Sequence, residues 1–272
     1  AIAAVHSMLA LWGRNHGESM ELVAVYAASV IRMIVPILFF EALIAMKVPR
    51  ISAEQPRDDT SFKTLCRVLV TIFVFNSAFD VMFMKYIVPA LGGLGEDSGD
   101  YLGEFLSFIP KSFTGEMVFD FFHYWGHRMC HQNKFLFAIH SHHHDHVHCG
   151  PRSGMDIHPA DFFLTNVIPA SIALLVCNAL VGGFTEWQWH LFLSYKTATE
   201  IGGHSGLNYN AMSFPQFPIL QWHFADIPLS VADHEWHHVK PTKNFAKRFA
   251  VWDRLFGTYE EHKASQKTKK LR

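Results

Sequence analysis

The chain has 272 residues, 50% of them hydrophobic and only 17% charged, and its formal net charge is -1 with histidine counted as neutral. An average soluble domain carries roughly 25% charged residues. Here the deficit is concentrated in a few long stretches, which points to membrane spans rather than to a large soluble core. A near-neutral chain offers no basis for a nucleic-acid partner. The four cysteines, Cys66, Cys130, Cys149 and Cys177, lie far apart and form no CxxC pair, which argues against a disulfide framework or a zinc ribbon.

In chain order, residues 1–18 are mixed and lack the layout of a signal peptide. Residues 19–46 are mostly apolar, interrupted by Glu21, Arg32 and Glu41, and a polar stretch with Pro49 and Pro56 follows. Residues 62–91 are apolar again and long enough to cross a hydrocarbon core, which takes about 20 residues. A glycine-rich acidic loop over 92–100 leads to a shorter aromatic stretch, 105–122. Pro110 and Lys111 predict a break there, and with it a half-buried interfacial helix. Residues 160–181 and 184–199 read as two helices joined by the tight turn Gly182-Gly183, a membrane hairpin. From residue 213 the chain is polar.

A two-crossing hairpin returns the chain to its starting side, so the histidines before and after it share one face. Arg128, Lys134, Arg152, Lys240, Lys243 and Lys247 belong to that face, which the positive-inside rule makes cytosolic. The N-terminal half fits less well. If its two spans form another hairpin, the basic loop around Lys47, Arg50 and Arg57 falls on the opposite side. Arg32 and Asp80 lie inside spans, where each costs roughly 2.5–3.5 kcal/mol at a helix centre, and they either pair or line a polar route.

Of 19 histidines, ten fall between His123 and His158. Three clusters carry the chemistry. His123 and His127 form an HxxxH pair, and residues four apart share one helix face. His140, His143 and His144 form an HxxHH triplet, as do His234, His237 and His238. On a helix such a triplet turns its rings towards two adjacent points, so one segment can touch two metals. His204 stands alone near the end of the second hairpin helix. These nine are the candidate ligands and catalytic residues. Nine exceed what one metal takes, so they imply two metals with little protein carboxylate. Imidazole suits iron, zinc, copper and nickel, and spacing does not choose among them.

His158 is either a further ligand or the start of the hairpin helix, and Glu200 is either a tenth ligand or a helix-end residue. His6, His16 and His262 read as solvated, and His190 as a hydrogen-bonded membrane residue. His131, His142, His146, His148 and His223 read as supporting or surface groups. Asp120, Asp145, Asp233 and Glu235 are candidate acceptors for the ring nitrogens that do not face metal. Free imidazole titrates near 6.5, so metal binding is expected to weaken below that pH. Phe121, Phe122, Trp125, Trp187 and Trp189 are either walls of a lipid cleft or interfacial anchors.

The ordered set of motifs from about residue 104 to 260 resembles the fatty acid hydroxylase superfamily, which includes sterol C-5 desaturases and C-4 methyl oxidases. The resemblance is carried by Phe122-His-Tyr-Trp-Gly-His-Arg128, His140 to His144, His158-Pro159-Ala-Asp161, His204-Ser-Gly206 and His234 to His238. Asn244-Phe245 and Trp252-Asp-Arg-Leu-Phe-Gly-Thr-Tyr259 close it. It implies an all-α integral membrane protein of about four transmembrane helices, with a cytosolic helical cap holding two iron ions. It also implies dioxygen as co-substrate, a lipid substrate, a sterol first among them, and hydroxylation, methyl oxidation or desaturation as the reaction. Zinc is a possible substitute in purified protein.

The resemblance implies cytochrome b5 and its NAD(P)H-dependent reductase as electron donors; the chain shows no GxGxxG loop and no sign of a fused haem domain, so a partner is expected to supply the electrons. The expected division is an N-terminal membrane-anchoring part over 1–103, a catalytic domain over 104–260 and a basic tail over 261–272. Lys269 and Lys270 in that tail look like a dilysine retrieval signal, which points to the endoplasmic reticulum. Two rivals remain: a silent homologue serving as a structural subunit, and a metal-dependent lipid hydrolase, which would need a carboxylate among its ligands.

Overall fold

The computed structural model describes residues 18–208 and 229–262, and among these every regular element is helical. The helices are α1 (Glu18–Ala45), α2 (Phe62–Ala90), α3 (Tyr101–Gln132), α4 (Lys134–His140), α5 (Pro159–Leu180), α6 (Glu186–Gly203), α7 (Val231–Val239) and α8 (Ala250–Leu255). His6, His16, His223 and the tail lysines lie outside the described residues.

Among the described residues three helices are long and apolar enough to cross a membrane: α1 over Met20–Ala45, α2 and α5. The fourth expected span forms α6, but Glu186, Lys196 and Glu200 keep it off that apolar set. Thr185 starts α6 with a capping box, its hydroxyl accepting from the Gln188 N–H while the Gln188 side chain accepts from the Thr185 N–H. Gly182 and Gly183 both have positive φ, 81° and 69°, so the tight turn between α5 and α6 uses residues that adopt it without strain.

The expected break at Pro110 does not occur, and α3 runs unbroken for 32 residues. A proline inside a helix costs about 3 kcal/mol, which is offset by burial on both sides of it. Phe108 and Phe119 are fully buried, Phe108 stacking on Tyr195 and Phe119 on His123. At 1.5 Å per residue α3 is about 48 Å long, enough to connect both ends of the bundle.

That length bears on the side of the first loop, which the sequence left open. The loop before α3 and the α5–α6 turn meet at one end, where Gly95 N–H donates to Phe184 O (2.9 Å) and Glu186 N–H to Gly95 O (3.2 Å). The α1–α2 loop lies at the other end, with the histidines. Ile51 N–H donates to Gly206 O (2.9 Å), Asp58 N–H to His148 O (3.2 Å), and Arg57 pairs with Glu41 and Asp59. Lys47, Arg50 and Arg57 therefore join the basic face instead of opposing it.

The largest apolar core lies between α2, α3, α5 and α6, around Phe83, Phe108, Trp189 and Phe192. Trp189 stacks on Phe83 with centroids 6.0 Å apart, which makes it a wall residue, whereas Phe122 and Trp125 are exposed. Arg32 and Asp80 form an ion pair within the bundle, with the Ser29 hydroxyl donating to the same carboxylate. Both α2 and α5 contain π-helical turns, at 71–76, 83–87 and 163–167. Such turns recur at functional sites, and here Asn76, Phe83 and Val167 from them line one internal cavity with Trp189.

Candidate metal centre

At the basic end of the bundle, side chains from α3, α4, the 141–146 turn, α6 and α7 converge in two adjacent groups. His127, His131, His140, His144 and His237 form the first, and His143, His204, His234 and His238 the second. Within each group the ligand atoms all lie within 4.8 Å of one another. Both HxxHH triplets straddle the groups, as the spacing predicts. His140 and His144 enter the first and His143 the second, while His237 enters the first and His234 and His238 the second.

The contacts are between Nε2 atoms. His127 and His140 are 3.1 Å apart, His140 and His144 3.1 Å, and His144 and His237 3.2 Å. In the second group His143 and His204 are 3.1 Å apart, and His204 and His234 2.8 Å. The opposite ring nitrogen decides what these contacts mean. Nδ1–H of His127 donates to Phe245 O (2.7 Å), of His237 to Lys243 O (2.6 Å) and of His204 to Glu200 O (2.8 Å). Nδ1 of His140 meets Asp161 Oδ2 (2.7 Å).

A neutral imidazole carries one N–H, so each of these rings turns a bare lone pair towards its neighbours. Lone pairs held about 3 Å apart repel unless a cation lies between them. The separations are also those of nitrogens sharing a metal with bonds of about 2.0–2.1 Å. The residues therefore fit two metal ions.

Electrostatics agree. Burial pushes His204 and His237 down to about 3, and His143, His234 and His238 well below the usual imidazole value, with neighbouring histidines adding to the effect. These rings are neutral and ready to bind metal at physiological pH. The expected threshold near 6.5, taken from free imidazole, is accordingly lowered by burial in the folded protein.

The supporting network begins with two carboxylates. Asp120 accepts the backbone N–H groups of Lys247, Arg248 and Phe249, and Asp253 those of Phe245 and Ala246. Together they pin the strip that supplies the Lys243 and Phe245 carbonyls. On the other flank Asp156 accepts from His142, His146 and Arg67 and so holds the turn carrying His143 and His144. Gly206 closes the α6 exit with φ of 66°; a Cβ there would lie 2.5 Å from Cys149 O. Gly154 packs against the His204 ring, 3.1 Å from Nδ1 for a Cβ built on it.

Several predicted positions fall elsewhere. His123 is in neither group: its Nδ1–H donates to Thr165 O (2.7 Å) and its ring lies 5.2 Å from that of His127. His131, read as a supporting group, stands in the first group instead, its Nε2 3.2 Å from His127 and 3.1 Å from His140. His158 is exposed and caps α5, accepting from Ala160 N–H (3.2 Å). Glu200 is outside both groups and pairs with Lys247. Of the candidate acids, Asp120 acts through the backbone strip, Asp233 caps α7, Glu235 accepts from Ser52 and Asp145 is exposed. Asp161 and Asp156 were not among them, although Asp161 stands in the quoted His158-Pro159-Ala-Asp161 segment.

The fatty acid hydroxylase family pattern matches residues 113–258, a stretch that contains both histidine groups. A very-long-chain aldehyde decarbonylase of Oryza sativa is 26% identical over 208 residues, covering 75% of this chain and 71% of the relative. Sphinganine C4-monooxygenase 1 of Arabidopsis thaliana is 31% identical over 159 residues, 57% of this chain and 56% of the relative. Methylsterol monooxygenase 1 of Gallus gallus is 25% identical over 167 residues, 60% of this chain and 52% of the relative. No solved structure matches the chain. With the pattern covering more than half of its length, the chain belongs to the fatty acid hydroxylase family, a family of membrane di-iron oxidoreductases.

Proposed function

We propose that this protein uses dioxygen to hydroxylate, methyl-oxidise or desaturate a membrane lipid, a sterol being the substrate class to test first. The observation that supports this most is the convergence of nine imidazoles in two adjacent groups with, among the described residues, no carboxylate in either. Iron held by His127, His131, His140, His144 and His237 and by His143, His204, His234 and His238 would supply dioxygen activation and electron transfer. The same donors accept zinc, which would yield an inert protein. A hydrolase would need a carboxylate base at the metals, and both groups are purely imidazole.

The chain's own part is to hold and to exclude. Lys243, Phe245, Glu200 and Asp161 fix four rings with Nε2 inward. The cavity between α1, α2, α5 and α6 approaches His204 across Gly154 and gives a lipid an apolar route from the bilayer. Because α1 and α2 help to wall it, residues 1–103 would shape the substrate site as well as anchor a catalytic unit over 104–260.

In this reading α1, α2, α5 and α6 cross the bilayer, and α3, which runs between the same two ends, makes a fifth passage. The metal-bearing cap faces the cytosol, because the basic loops gather there. Electrons come from cytochrome b5 and its NAD(P)H-dependent reductase.

The test is incubation of iron-loaded protein in nanodiscs with those donors, isotopically labelled dioxygen and a panel of sterols, fatty acids and sphingoid lipids. Labelled product or a new double bond, absent with His234→Ala, is expected. Ester or phosphate hydrolysis without oxygen consumption would overturn the reading.

A further inference from the structure

The cavity that approaches His204 is apolar along much of its wall, through Met33, Phe83 and Trp189, but charged groups line it too. Arg32, Asp80, Asn166, Lys196 and Glu200 all contribute. Three of these charges, Arg32, Asp80 and Glu200, are already answered. Asp80 receives Arg32 Nη2 and the Ser29 hydroxyl, and Glu200 pairs with Lys247. Nearby, Arg248 pairs with Glu116 at 3.0 Å.

Donors are left over. Lys196, only 8% exposed, donates to the neutral amide oxygen of Asn166 at 2.9 Å, lies 4.5 Å above the Phe119 ring and touches no carboxylate among the described residues. That amide oxygen is shared, since Lys247 also donates to it at 3.3 Å. Arg32 is 5% exposed, and its Nε–H has no hydrogen-bond partner among the described residues. Burying a donor without an acceptor is costly, and more so when it is charged. Two cationic donors on one cavity wall thus present a surface built to be completed by an acceptor.

We infer that this cavity takes a lipid whose polar end is a hydrogen-bond-accepting oxygen, a carboxylate best of all, held by Lys196 Nζ and Arg32 Nε. Lipids ending in an ammonium group are disfavoured by like charge. As a statement about substrate class it rests on the reading that this cavity serves the metal centre. Lys196, Glu200 and His204 follow one another at four-residue steps on one face of α6. At 1.5 Å per residue Lys196 stands about 12 Å from His204 along the helix. The oxygen held at Lys196 is therefore an anchor, and oxidation falls on carbon farther along the lipid.

The test uses binding, not turnover. A fatty acid, the fatty alcohol and the fatty amine of equal chain length, each tritium-labelled, are titrated into protein in nanodiscs at equal mole fraction of lipid, and the saturable binding above that of empty nanodiscs is read. The acid is expected to bind about 10- to 100-fold more tightly than the amine. Lys196→Met should abolish that preference, whereas Lys196→Arg should keep it.

Equal binding of acid and amine by the wild type would overturn the inference, whatever the variants do. So would the absence of saturable binding of any of the three probes, or a preference unchanged in Lys196→Met. The measurement is repeated on metal-stripped protein. A chain that binds the acid selectively but oxidises nothing would sink the oxygenase reading and leave the oxygen-anchored cavity standing.

Discussion

Nδ1 of His140 meets the carboxylate of Asp161 at 2.7 Å, with both side chains buried. The Nδ1–H groups of His127, His237 and His204 donate to backbone carbonyls, the last with Glu200 Oε1 also 3.5 Å away, whereas His140 is oriented by a carboxylate hydrogen bond. It is also the ring that touches three others of the first group, with Nε2 at 3.1 Å from each of His127, His131 and His144. Loss of such a partner typically costs about 10- to 100-fold in metal affinity. Asp161→Ala should show that loss in a graded chelator titration, with the helical content unchanged by circular dichroism.

Asp253 tests the support behind His127. Its two oxygens take the N–H groups of Phe245 and Ala246, and the Phe245 carbonyl in turn accepts from His127. Asp253→Ala strands two buried donors at about 1–3 kcal/mol each. It should therefore lower the unfolding temperature and weaken metal retention together. The exposed Asp145 is the control, and Asp145→Ala should do neither.

His131 and His158 separate ligands from neighbours. Removing His131 takes one of five donors from the first group, whereas His158 only caps α5 from an exposed position. Metal content should fall in His131→Ala and stay at the wild-type level in His158→Ala. An equal loss in both would show that the grouping is wrong.

The pH dependence follows from burial. In the unfolded chain these imidazoles titrate near 6.5, while in the folded protein His204 and His237 are held down to about 3. Between those values the unfolded state binds more protons than the folded one. The stability gained from keeping the rings neutral is therefore complete above about 6.5 and is lost as pH falls towards 3. Metal-free protein should melt at progressively lower temperature from pH 6.5 downwards. Loaded protein should keep its metals below pH 6.5 for as long as it stays folded. Metal release near 6.5 from protein that remains folded would contradict this.

The two HxxHH triplets were legible in the sequence as spacings: His234, His237 and His238 share α7, whereas His140 ends α4 and His143 and His144 stand in the turn that follows, held there by Asp156. The HxxxH pair was legible only as a spacing. His123, His127 and His131 repeat the same four-residue step, so two pairs fit equally well. The choice depends on Thr165 O taking His123 and on His140 lying beside His131. Those are contacts across 42 and 9 residues. The equal step from His127 to His131 was the signal that could have found it. Carbonyl partners such as Lys243 and Phe245 leave no mark in side-chain identity. The continuity of α3 through Pro110 was hidden because packing along the helix outweighed a local rule. With that continuity came the side on which the α1–α2 loop lies.

The central claim is that nine histidines form two adjacent metal sites. Quantifying bound metal after iron loading tests it most directly, in wild-type protein, in His204→Ala from the second group and in His123→Ala from neither. The account predicts two metals per chain in the wild type and in His123→Ala, and a loss centred on one site in His204→Ala. A wild type that binds one metal or none under these conditions, or a His204→Ala protein that still holds two with undiminished affinity, would contradict it.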